Sequence, residues 1–242
     1  MTHTPASATP VALVTGGSRG LGRALVDGLL ARGWTVIADG RDADALRAAT
    51  AGHPAARAVA GDVTDRAHRA ALAAAVADAG RLDLLVNNAS TLGPSPLPAL
   101  ATVEEGTLID VYRTNAVAPL LVFQAVRPAL EAAGGAVINI TSDAAGGPWP
   151  GWGVYGSSKA ALDQLTNVLA VEHPDLAVYA LDPGDLRTDM HQAAFPDEDI
   201  SDRPLPASVV PAILALIDDR PPSGRVRAAD IGVPAGGPVA GA

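Results

Sequence analysis

The sequence predicts an α/β fold built on a single doubly wound parallel sheet with helices on both faces. Two observations carry this. Short apolar runs alternate regularly with stretches of helical spacing, which is the pattern of strands joined by crossover helices. A glycine-rich turn also sits at the first junction between the two.

Val11–Thr15 is a short apolar run suited to a buried parallel strand. Leu21 to Ala31 places Leu21, Leu25, Leu29 and Leu30 on one helical face, and Gly33 follows as a stop. Trp34–Ala38, Ala55–Ala60, Leu82–Val86, Ala136–Thr141 and Leu176–Leu181 read as further strands. Asp42–Thr50, Thr64–Ala79, Thr102–Ala133, Val154–Glu172 and Pro206–Asp218 read as helices. Thr64 is the expected N-cap of its helix, and Pro119 is expected to disturb the long one. No linker, repeat or second domain is apparent. The expectation is a lead-in at residues 1–10, one domain over 11–228 and a flexible Gly/Pro/Ala-rich tail at 229–242. Two long loops, Asp143–Gly153 and Pro183–Pro206, follow strands at their carboxyl ends, where such sheets bind ligands.

Composition narrows the function. The 242 residues include no cysteine, so thiolate and disulfide chemistry are excluded. A net charge of −9 argues against nucleic acid and anionic membranes as partners. The first ten residues lack the pattern of a secretory signal, and no apolar stretch approaches the ~18 residues of a membrane span, so a cytoplasmic location is expected. Of the 17 basic residues, sixteen are Arg and one is Lys, at Lys159. Arg replaces Lys freely on a surface. A single retained Lys marks a place that needs a compact ammonium with a tunable pKa.

Thr15-Gly16-Gly17-Ser18-Arg19-Gly20-Leu21-Gly22 lies between the first strand and the first helix. Glycine permits the tight turn and lets a pyrophosphate approach the backbone, and the helix N-terminus offers free N–H groups. Read alone, the segment could be a simple turn. Further on, Ser142 ends the fifth strand, and thirteen residues later comes Tyr155-Gly156-Ser157-Ser158-Lys159. Tyr155 and Lys159 are i,i+4 on a predicted helix and share a face. Read alone, that spacing arises by chance.

Together, from Val11 to Met190, these motifs resemble the short-chain dehydrogenase/reductase family in its shorter form, which implies a Rossmann-type sheet. The resemblance implies a nicotinamide dinucleotide in contact with Gly16, Ser18, Arg19, Gly20, Leu21 and Gly22. The carboxylate that holds the ribose in NAD-using members is replaced by Gly40, followed by Arg41. Arg19 and Arg41 therefore point to the 2′-phosphate of NADP(H), with NAD(H) as the alternative. Asp39 sits one residue early and would project to the other side of the strand; Arg41 could instead be a solvated surface residue. Asp62-Val63 resembles the adenine-contacting pair. Asn87-Asn88-Ala89-Ser90 resembles the family's N-N-A-G segment, implying cofactor contacts at Asn88 and Ala89, with Ser90 in place of glycine. Pro183-Gly184 and Thr188 match the segment that holds the nicotinamide carboxamide.

The resemblance makes Tyr155 the general acid/base and Ser142 the group that orients the substrate oxygen. Lys159 is implied to lower the phenol pKa and hold the ribose, and Asn115 to hold a water on the proton path. A phenol titrates near 10, and lowering it by ~2 units takes roughly 3 kcal/mol of differential interaction. The expected enzyme is an NADP(H)-preferring reductase of a ketone or aldehyde. The alternatives are an NAD-dependent alcohol dehydrogenase and a dinucleotide-sensing protein without turnover. No metal is expected. Trp149 and Trp152 could wall a substrate pocket or plug a subunit contact. Met190, His191 and Phe195 begin a loop expected to close over substrate, and Asp197, Glu198, Asp199 and Asp202 make it acidic. A homo-oligomer is implied, a dimer in preference to a tetramer, because the segment from Arg225 lacks the family's closing strand signature.

Overall fold

The computed structural model describes residues 9–232. Its seven strands are β1 (Val11–Val14), β2 (Thr35–Gly40), β3 (Ala56–Ala60), β4 (Leu84–Asn87), β5 (Ala136–Ile140), β6 (Ala177–Asp182) and β7 (Gly224–Arg227). They form one sheet in the order β3-β2-β1-β4-β5-β6-β7, and every pairing is parallel. The helices are α1 (Gly20–Ala31), α2 (Ala43–Thr50), α3 (Arg66–Ala79), α4 (Glu105–Tyr112), α5 (Ala118–Ala133), α6 (Gly153–Glu172), α7 (Asp189–Ala194) and α8 (Val210–Asp219).

The central strands are almost wholly apolar because both faces of the sheet are covered; the exceptions in β4 and β5, Asn87 and Asn139, bond each other at 2.8 Å. Alternate residues still part company. Ala12, Val14, Val36 and Ala38 pack with Leu25 and Leu29 of α1 and Ile213 and Leu216 of α8. Val11, Leu13 and Ile37 face Leu72 and Val76 of α3 and Val122, Phe123 and Val126 of α5 on the other side. The strand order reverses between β1 and β4, and the cleft opens there, at the carboxyl ends of the strands.

Three local expectations are corrected, and the irregularity expected near Pro119 is found just before it. The cap of α3 is Asp65, whose carboxylate accepts the Ala67 N–H at 3.0 Å; Thr64 lies outside the helix, donating its N–H to Asp62. The long helix is not continuous α: a π turn spans Arg113–Val117, and Pro119 falls in the first turn of α5, where its missing N–H costs least. The run Glu105–Ala133 does hold an 18-residue window of mean hydropathy 1.3, long and apolar enough to span a membrane by composition alone. Its Val122, Phe123, Val126 and Leu130 are buried against the sheet. Finally, the segment from Gly224 adds a seventh strand, and Ile231 packs against the core beyond it. Residues 1–8 and 233–242 of the expected lead-in and tail lie outside the described residues.

Candidate active site

The turn after β1 is held from within. Thr15 Oγ1 accepts the N–H groups of Asn88 and Ala89 at 2.9 and 3.1 Å, and Asn88 Nδ2 donates to the carbonyls of Thr15 and Gly16. Gly16 has φ +66°, and a Cβ on Gly22 would lie 2.2 Å from the Gly16 carbonyl oxygen, so neither position admits a side chain. Arg19 caps α1 with no side-chain bond, and no acid stands in the first turn. The helix dipole and its free N–H groups thus face the cleft, a fit for a pyrophosphate.

Asp39 is buried beneath this turn. Its Oδ1 accepts the Gly16 N–H at 2.7 Å, and its Oδ2 lies 2.8 Å from His68 Nε2 of α3. Both carboxylate oxygens are engaged by protein. At the next position, a Cβ on Gly40 would come 3.2 Å from Ser18 Oγ, and Arg41 is exposed at the rim. Arg19 is also exposed, its guanidinium 3.8 Å from the Asp189 carboxylate. Partial burial raises the Asp62 carboxyl, but the Thr64 N–H and hydroxyl, with the charges of Arg41 and His68, hold it below the usual range. Val63 is buried behind it.

At the inner end, α6 presents Tyr155 and Lys159 on one face, both buried. Lys159 Nζ donates to the Ile140 carbonyl at 2.7 Å and lies 5.6 Å from the Tyr155 ring centre. Ser142 Oγ accepts the Ala144 N–H at 3.1 Å and donates to Asp143 at 3.0 Å. Burial pushes the Tyr155 phenol up to about 12, although it faces the hydroxyls of Ser142 and Ser90, which favour its ionised form. Burial likewise brings Lys159 down to about 8, against the opposing charge of Asp163. The expected lowering of the phenol is therefore reversed in the protein alone. Both groups leave water, and for the phenol desolvation, with the charges of Asp143 and Asp182, outweighs the hydroxyls of Ser142 and Ser90.

Asn115 sits in the π turn and is fully buried. Its Nδ2 donates to the Thr91 carbonyl and to Ser158 Oγ, and its Oδ1 accepts from the Thr91 N–H and Ser90 Oγ. Every polar position of the amide is taken, so the side chain clamps α6 to the segment after β4 and has no position left for a water.

Gly184 has φ +74° and donates its N–H to Asp182, while Thr188 Oγ1 accepts the His191 N–H and caps α7. Of the residues expected at the site, all but Gly22 and Asn115 line one cleft of about 1620 Å³. Those two stand immediately behind it. Trp152 lines the cleft, its indole edge-on to Tyr155 with centres 5.7 Å apart, while Trp149 is 46% exposed and turns away. Among the described residues no cluster of potential metal ligands occurs.

Three contributors were not expected from sequence. His68 pairs with Asp39 across 29 residues of chain. Asp143 takes the Ser142 hydroxyl. Arg225 of β7 donates to the Ser142 carbonyl and to Asp163 and Asp182. Only the carboxylate of Asp39, which needs a buried partner, gave any signal of such a pairing.

The short chain dehydrogenase family model matches residues 10–199. The chain belongs to the short chain dehydrogenase family. It is an oxidoreductase acting on CH–OH or C=O groups. It is 34% identical over 199 residues to gluconate 5-dehydrogenase of Gluconobacter oxydans, covering 79% of this chain and 77% of that one. Sepiapterin reductase of Meriones unguiculatus is 34% identical over 201 residues, 76% of this chain and 77% of its own. A short chain dehydrogenase from Escherichia coli CFT073, solved with NADPH, superimposes with a TM-score of 0.85 at 29% identity, over 90% of this chain and 96% of that one.

Proposed function

We propose that this short chain dehydrogenase is an NADP(H)-dependent reductase that converts a ketone or aldehyde to an alcohol. The observation that carries the reading is the meeting of the Tyr155 and Ser142 hydroxyls above Lys159 at the inner end of the cleft. NADP(H) is supported at the outer end. Gly40 offers no carboxylate, Asp39 is spent on Gly16 and His68, and Arg19 and Arg41 stand at the rim to receive a 2′-phosphate.

When bound, the reduced nicotinamide supplies the hydride that adds to the carbonyl carbon. The π pair of the C=O bond moves onto oxygen, which takes the proton from Tyr155 Oη. A phenol near 12 carries its proton at neutral pH, so Tyr155 is poised as an acid. Lys159, close to 8, is largely an ammonium at pH 7 and stabilises the phenolate that forms. Ser142 turns its hydroxyl from Asp143 to the substrate oxygen and fixes its direction. Gly16, Ser18, Gly20, Leu21, Asn88 and Ala89 hold the dinucleotide backbone, Asp62 and Val63 the adenine, and Pro183, Gly184 and Thr188 the carboxamide. Exposed Leu108, Ile109 and Val117, with Val168 and Val171 of α6, support a dimer.

The test is titration with NADPH and NADH, followed by NADPH oxidation across a carbonyl panel. Tyr155→Phe retains NADPH binding and loses turnover by about 1000-fold. NADH binding tenfold tighter than NADPH overturns the cofactor assignment, and an unreactive panel overturns the reductase.

A further inference from the structure

We infer that the substrate is a neutral, apolar, ring-bearing carbonyl compound, and that sugar acids and amino acids are refused; this rests on the reductase reading above. The wall over Tyr155 is built from Leu92, Leu97, Trp152, Met190 and Ala193, which form one apolar cluster with the phenol ring. Trp152 stands edge-on to Tyr155 beside the reacting position, and Phe195, 5.8 Å from it between ring centres, backs the indole. A planar ring entering here meets aromatic edges and methyl groups.

Charge points the same way. Five cations line the described cleft. Arg19, Arg23 and Arg41 belong to its phosphate end. Lys159 is tied to the Ile140 carbonyl, and the Arg187 guanidinium is held by the Ser201 carbonyl at 3.4 Å. The three arginines at the phosphate end and Arg187 are turned from the apolar wall; His191 stands at its edge, its ring 5.0 Å from Phe195 and its Nε2 without a hydrogen-bond partner among the described residues. Lys159 apart, the charges beside the reacting hydroxyls are negative, Asp143 next to Ser142 and Asp182 behind it, and both disfavour an anion at Tyr155. A substrate carboxylate would leave water beside Asp143 and Asp182 with only the His191 imidazole at the edge of the wall to meet it.

A polyol fares little better. The hydroxyl of Ser95 is already given to the Ala193 carbonyl at 2.6 Å, Leu92, Leu97 and Met190 offer no hydrogen bonds, and of the buried side-chain polar atoms in the cleft only Thr141 Oγ1 and His191 Nε2 stand unpartnered among the described residues. Each unsatisfied hydroxyl on a sugar chain would be buried at a cost.

A matched pair of ketones isolates the charge: methyl 4-acetylbenzoate and 4-acetylbenzoate share ring and carbonyl. With NADPH, the full chain reduces the ester with kcat/KM about 100-fold or more above the acid, and leaves 5-keto-D-gluconate untouched. Binding gives an independent readout. The ester quenches tryptophan fluorescence saturably in the NADP⁺-loaded protein, the acid does not, and Trp152→Phe removes the signal. Leu97→Arg, which places a cation on the wall, narrows the gap between the two ketones at least tenfold without changing NADPH affinity. Equal reduction or equal binding of acid and ester overturns the inference alone. If neither is reduced but only the ester binds, the substrate class stands and the reductase reading falls.

Discussion

Arg225 Nη2 donates to the Ser142 carbonyl at 3.1 Å, so the strand that closes the sheet holds the backbone of a residue at the reacting end of the cleft. The same guanidinium bonds Asp163 of α6 at 3.1 Å and Asp182 of β6 at 3.2 Å. One side chain thus ties the chain after β5, the end of β6 and the middle of α6 together.

Arg225→Leu leaves two largely buried carboxylates without that partner. A lost hydrogen bond to a charged group costs roughly 1.5–3 kcal/mol, and the melting temperature falls by about 4–10 °C. The expected kinetic signature is a drop in kcat of about tenfold with NADPH affinity retained, restored in part by Arg225→Lys. Unchanged kcat in folded protein would disconnect Arg225 from Ser142.

Ser90 Oγ reaches Asn115 Oδ1 at 3.1 Å and faces the Tyr155 phenol. Turned from Asn115 to the phenolate as it forms, that one proton makes a hydrogen bond worth about 1.5–3 kcal/mol, so Ser90→Ala lowers kcat about tenfold or more. Ser90→Thr keeps the hydroxyl and recovers most of the rate. Cofactor titration on the same variants separates this from damage to the dinucleotide site.

Lys159 gives a pH dependence with a definite sign. Its folded pKa is about 8 against 10.5 free, so the unfolded chain binds more protons between those values and stability rises with pH across them. The charged form costs the fold about 3 kcal/mol at pH 7 relative to pH above 10.5. Lys159→Met is therefore inactive yet melts several degrees higher at pH 7, with the gain shrinking toward pH 10. Tyr155 acts oppositely only above pH 10, where stability falls up to about 12. Lys159→Arg keeps a charge but not its compact fit beneath Ile140, and loses most activity; near-normal turnover in that variant sinks the account of the pair.

Arg41 and His68 separate charge from support in cofactor binding. Arg41→Ala weakens NADPH about tenfold and leaves NADH unchanged, which isothermal titration reads directly. His68→Leu strands the inner oxygen of Asp39, loosens the turn at Gly16, and weakens both cofactors alike.

What the sequence made legible is what local pattern encodes. The fully buried run of β1, the glycines before α1, and the i,i+4 pair on α6 lie where their spacing placed them. What it hid depends on partners distant in chain. β7 is four residues long with alternate exposure and charged Arg225 and Arg227, so it lacks the apolar signature of the other strands. The Asp39–His68 pair spans 29 residues with no motif to announce it. The direction of the Tyr155 pKa depends on burial, which a spacing argument for Lys159 does not contain. Thr64 has a side chain fit to cap α3, but the helix starts one residue later and the cap falls to Asp65, which only the backbone reveals.

The π turn at Arg113–Val117 sets a phase. Each residue of an α-helix advances the face by about 100°, and a π turn inserts one residue beyond that rhythm. It lets Asn115 look toward the Thr91 segment while Val122, Phe123 and Val126, on the same continuous rod, look toward the sheet. Removing one residue there would leave a more regular helix with its two halves out of step: either the clamp or the core would be aimed at solvent. The irregularity is thus a one-residue gear between catalysis and packing, and length at this point is less negotiable than side-chain identity.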